Sequence, residues 1–110
     1  ILSNQVIAVL DMGYSLLEDC GFTRAEAVRA TGQLVMRNIE NVLEAGCDGA
    51  LTGPIERNDI ETVKKHIACM QNDDSDDVRL YKMLGTKLVN IAEKKNPDKD
   101  YTQMMELLRG

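Results

Sequence analysis

Arg57, Asp59, Thr62 and His66 fall within a short stretch that also holds Thr52, Gly53 and Pro54, and these are the residues of the chain best suited to chemistry. A planar guanidinium can pair with an anionic substrate or a cofactor phosphate. The alternative for Arg57, and the one the local chemistry favours, is to hold its own turn together through Asp59 and nearby carbonyls. An imidazole titrates near neutrality, so His66 could act as a general acid. Seven residues of helix, however, put it roughly 10 Å from Asp59, which favours a packing role.

The backbone around these side chains must turn. Gly53 can take angles that a Cβ forbids, Pro54 fixes its own φ and lacks an N–H, and a residue before proline is pushed out of the helical region. Asp59 is placed to cap a new helix whose apolar stripe is Ile60, Val63, Ile67 and Met70. Asp59, Thr62 and His66 form a second stripe along its border. On local chemistry alone, Gly53 and Pro54 are punctuation, Asp59 is an ordinary cap, and His66 bonds to a neighbouring carbonyl.

The spacing adds a second reading. Leu51-Thr52-Gly53-Pro54-Ile55, then Arg57, Asp59, Thr62-Val63 and His66, resembles the signature of a C-terminal helical domain of unknown function. That domain follows a Rossmann domain in proteins classed as NADP-dependent oxidoreductases, and it is similar to the helical dimerisation domains of pyrroline-5-carboxylate reductase and, more distantly, 6-phosphogluconate dehydrogenase. Ser3-Asn4 followed by an apolar helix, and Gly46 leading into Ala50-Leu51-Thr52, agree with it. Where the family usually has Gly, this chain has Asn58, a residue that visits the left-handed region readily.

The resemblance implies a homodimer whose helical part holds a small-molecule substrate against a cofactor domain. Thr52 and Gly53 would line the cleft, their hydroxyl and free N–H groups receiving a carboxylate or carbonyl oxygen. Asn4, on the polar arc of the first helix, would complete the pocket, and Arg57 would face the substrate. Pro54, Asn58, Asp59, Thr62 and His66 would shape and cap the turn. NADP or NAD would bind the preceding domain, since no Gly-x-Gly-x-x-Gly follows a strand-like run within these residues. No cofactor is expected on residues 1–110 alone.

Length and composition fit such a domain. The 110 residues can bury roughly two thirds of their unfolded surface. Aromatics are only 4% and Trp is absent, so the interior must be built from aliphatic residues and Met, which suit helices. The chain opens on Ile1 and enters an apolar run almost at once, as if cut from something longer.

A net charge of −5 argues against nucleic-acid or anionic-membrane surfaces, which need clustered cations. The dense acidic run, Asp73, Asp74, Asp76 and Asp77, lacks the Gly and closing Glu of a calcium loop, so no metal site is expected. Cys20, Cys47 and Cys69 are odd in number and widely spaced, matching neither a disulfide framework nor a zinc site and pointing to the cytoplasm. No apolar stretch approaches the roughly 20 residues of a membrane span, and no signal-peptide pattern opens the chain.

The expected fold is all-α, a bundle of about five helices like the 6-phosphogluconate dehydrogenase C-terminal domain. The first helix runs from near residue 1 to Cys20, stopped by Gly21. The second starts at a Thr23-Arg24-Ala25-Glu26 capping box, carries Val28, Gly32, Val35, Ile39 and Val42 on one face, and ends near Gly46. The third is capped by Asp59. A fourth carries Val78, Tyr81, Leu84, Gly85, Leu88 and Ala92 and ends at Asn96-Pro97, and Asp100 starts a last one through Leu107 and Leu108. Gly13, Gly32 and Gly85 each cost roughly 1 kcal/mol inside a helix relative to alanine, and close helix approach, within the monomer or across a dimer, would offset that. The alternative function is a non-catalytic module whose Met- and Leu-rich faces bind a partner helix.

Overall fold

The computed structural model describes residues 1–70 and 76–110. Asp73 and Asp74 of the acidic run lie outside the described residues. Five helices follow in order: α1 (Asn4–Asp19), α2 (Arg24–Ala50), α3 (Ile60–Cys69), α4 (Asp76–Lys95) and α5 (Thr102–Arg109). Among the described residues there is no strand, so the all-α expectation holds. No described helix is long and apolar enough to cross a membrane. The chain divides into two compact units, Ile1–Glu40 and Asn41–Gly110.

In the first unit, local signals set the helix ends. Gly21 adopts φ 103°, which allows its N–H to reach Glu18 O at 3.0 Å and that of Phe22 to reach Leu17 O at 3.2 Å. This pair of bonds satisfies the last carbonyls of α1. The capping box forms reciprocally, with Thr23 N–H on Glu26 Oε1 at 3.0 Å and Glu26 N–H on Thr23 Oγ1 at 3.1 Å. Arg24 reaches back to α1, pairing with Asp11 at 3.0 Å and Glu18 at 2.8 Å and lying over the ring of Tyr14. Only Ala27 is buried here.

The first helix is regular from Asn4, preceded by a turn in which the Gln5 N–H donates to Ile1 O at 3.3 Å, and Ser3 makes no side-chain cap bond. The second breaks at Gly46, as expected, since that residue takes the non-helical angles φ 76° and ψ 173°, and a short further helical stretch runs on to Ala50. Along the apolar face of α2, Val28, Ile39 and Val42 are each about two-fifths exposed.

The second unit holds the core. Ile55, Val63, Val89, Ala92, Tyr101, Met104 and Leu108 form one buried cluster, with Leu51, Ile60, Ile67, Tyr81 and Leu88 packed against it. Ile60, Val63 and Ile67 of the stripe read for α3 are therefore packed. Side chains as deeply buried as Met104, Val63 and Val89 contribute roughly 1.5–3 kcal/mol each. Gly85 marks the crossing of α4 and α5, since a Cβ there would lie 2.8 Å from Leu108 Cδ2 and 3.4 Å from Ile55 Cδ1. Gly13 and Gly32 have no such neighbour within 4 Å, so packing within the chain explains only Gly85.

Candidate functional site

Residues 51–59 link α2 to α3 as a tight turn with two left-handed positions. Gly53 has φ 104° and Asn58 has φ 61°, so the Asn for Gly exchange keeps the backbone the turn requires. Three bonds close it internally: Arg57 N–H to Gly53 O at 3.0 Å, Asn58 N–H to Ile55 O at 3.1 Å and Asp59 N–H to Pro54 O at 2.8 Å. Ile55 anchors the turn in the core.

Asp59 then starts α3. One carboxylate oxygen accepts the Thr62 N–H at 3.1 Å and the other the Thr62 hydroxyl at 2.7 Å. The hydroxyl first, and then the N–H, hold the Asp59 carboxyl below its ordinary pKa. These partners stabilise the charged form and supply the cap together.

A second set of bonds comes from the far end of the unit. Lys95 Nζ donates to Leu51 O at 2.7 Å and sits 3.5 Å from Glu56 Oε1. Asn96 Nδ2 donates to Glu56 Oε1 at 3.2 Å and to the Tyr101 hydroxyl at 3.0 Å, and that hydroxyl donates to Glu56 O at 2.6 Å. Asn58 Nδ2 closes the ring by donating to Asp100 O at 2.8 Å. The Asn96 bond, with smaller help from the Lys95 and Lys99 charges, keeps Glu56 ionised below the usual carboxylate range against the cost of its burial. Glu56, Lys95, Asn96 and Tyr101 had no signal in the sequence beyond Asn96-Pro97 as a helix stop.

The other edge of the turn is open. Thr52 is exposed, its hydroxyl makes no hydrogen bond among the described residues, and neither do the N–H groups of Thr52 and Gly53. Arg57 is exposed as well. Its guanidinium makes no hydrogen bond or ion pair among the described residues, and it reaches Asp59 only through space. The turn is thus held by the Lys95, Asn96 and Tyr101 side chains, and not by Arg57. His66 Nδ1 lies 3.1 Å from the Tyr81 hydroxyl, the two rings edge to face, so its partner is a phenol on α4 instead of a carbonyl. Partial burial raises the Tyr81 pKa. Asn4 lies in the first unit, exposed at the start of α1.

Two clefts run along α4 and α5. One of about 580 Å³ is lined by Glu93, Lys99, Tyr101, Met105 and Arg109 among others, and one of about 450 Å³ by Arg79, Lys82, Thr86 and Arg109 among others. Neither takes in Thr52, Gly53 or Arg57. Among the described residues no three His, Cys, Asp or Glu side chains are grouped to hold a metal.

Residues 1–88 match the family model described as Domain of unknown function (DUF2520). The chain belongs to the DUF2520 family. No curated protein and no solved structure matches the chain. The DUF2520 match spans the whole turn from Leu51 to Asp59 and stops short of Lys95, Asn96 and Tyr101. The conformation of a DUF2520 turn is here secured by residues outside the matched stretch.

Proposed function

We propose that this chain is the substrate-side and dimerisation domain of an NAD(P)-dependent oxidoreductase. It would follow a Rossmann domain and act in the cytoplasm, as a homodimer, on a small-molecule substrate. The observation that carries this reading is a turn fixed on one side by four side chains and left with unused donors on the other. The Thr52 hydroxyl and the Thr52 and Gly53 N–H groups are preorganised to receive a carbonyl or carboxylate oxygen, which is how a binding edge avoids reorganising at the moment of use. Arg57, exposed beside them in sequence and without an ion pair, supplies a cation for an anionic substrate.

The residues of this chain do not fit a dinucleotide's phosphates. That group takes a glycine-rich strand-to-helix turn, and the described residues are helical without a strand. The cofactor therefore belongs, in this reading, to the preceding domain, which carries the redox chemistry. Dimerisation is supported by the open apolar side chains of α1 and α2, among them Ile7, Leu34, Met36 and Leu43. The same side chains favour the second reading, a non-catalytic module that binds a partner helix. A glycine-rich strand-turn-helix encoded upstream distinguishes the two.

Thr52→Val in the protein with its cofactor domain tests the reading. The substitution keeps the shape and removes the hydroxyl. With no internal bond lost, the melting midpoint stays within the ordinary range of a surface change, about 0.5 kcal/mol, while turnover falls. Unchanged turnover would remove Thr52 from the site.

A further inference from the structure

Beyond the turn's own three backbone bonds, the long-range hydrogen bonds that fix residues 51–59 from outside all run, among the described residues, to one short segment, the end of α4 and the link to α5. Lys95 holds the carbonyl of Leu51, Asn96 and Tyr101 hold both ends of Glu56, and the Asp100 carbonyl takes the Asn58 amide. The sequence separations are 44, 40, 45 and 42 residues, so no local preference of residues 51–59 could substitute for them. Tyr101 is also a core residue, 3% exposed, which seats the segment firmly. Asn58 meets it from the other side, in a left-handed conformation that aims its amide at Asp100.

We infer that residues 95–101 are a strap that sets the conformation of the Thr52–Gly53 edge, with Lys95 and Tyr101 as its positioning residues. The strap stands on geometry alone; its service to a substrate rests on the function proposed above. Loss of a strap contact loosens the turn locally and leaves the helical core closed, because the turn's own three backbone bonds are few and exposed to fraying. By linkage, a ligand that requires the fixed edge also tightens the strap.

Native-state amide hydrogen exchange on the intact protein tests this without knowledge of the substrate. Three variants each remove one hold. Tyr101→Phe deletes the hydroxyl from a ring that stays buried, Lys95→Met deletes the cation, and Asn58→Gly keeps the left-handed backbone while deleting the amide. The amides of Arg57, Asn58 and Asp59 exchange roughly tenfold faster in each, the effect of losing one to two hydrogen bonds, while amides in the middle of α4, such as Val89, keep their wild-type rates. Lys95→Arg, which retains a donor and a charge, restores slow exchange. Equal acceleration of the turn and of α4 would mean that these residues only support global stability, and unchanged exchange at the turn would mean that it holds itself; either result overturns the strap.

Discussion

The Tyr101 hydroxyl donates to the Glu56 carbonyl at 2.6 Å while accepting from Asn96 at 3.0 Å, so one phenol fastens the start of α5 to the turn before α3. A buried hydroxyl that both donates and accepts avoids the penalty of an unsatisfied polar group.

The interior glycines separate into two kinds by what a side chain would meet. Gly32→Ala meets no atom within 4 Å and stabilises by up to about 1 kcal/mol through helix propensity, measured by denaturant unfolding at a dilution that prevents association. Gly85→Val drives into Leu108 and Ile55 and destabilises by about 1–3 kcal/mol. Equal effects at the two positions would contradict the α4–α5 crossing.

Acid should unfasten the turn. The folded pKa of Glu56 lies below its ordinary 4.5, so the carboxylate contributes stability that is present above that value and lost as pH falls through the folded pKa. Asp59, below its ordinary 3.8, acts with the same sign. Glu56→Gln therefore lowers the melting midpoint at neutral pH, and the gap to wild type closes as pH falls through the folded pKa of Glu56. A gap that widens on acidification would show that the carboxylate is not held in its charged form.

Much of the local structure was legible because it is written in neighbouring residues. Thr23 and Glu26 are a capping box three residues apart, Asp59 has Thr62 three residues ahead, and Asn58 is one of the few residues suited to a left-handed φ. What closes the turn from behind was not legible, because Leu51 meets Lys95 and Glu56 meets Tyr101 across more than forty residues. Periodicity also identified the apolar face of α2 without revealing that Val28, Ile39 and Val42 stay about two-fifths exposed. A stripe says which side is greasy, and only the fold says what meets it. Arg57 shows the same limit, since its closeness to Asp59 in sequence suggested internal bonds that its exposed setting does not provide.

Those open side chains predict self-association. Sedimentation velocity across a concentration series should show a discrete dimer, and Gly13→Leu should weaken it by overfilling a close contact. A clean monomer at high concentration would remove the dimerisation role. Polydisperse aggregates that Gly13→Leu leaves unchanged would indicate general stickiness instead of a symmetric interface.

The claim that the Thr52–Gly53 edge faces a cofactor-bearing cleft is tested most directly by following backbone amide chemical shifts in the protein with its cofactor domain as NADPH, and separately NADH, is added. Shifts are expected at Thr52, Gly53 and Arg57 at saturation, with the core amides around Met104 unmoved. Saturation of the nucleotide site with residues 51–57 unchanged would contradict it.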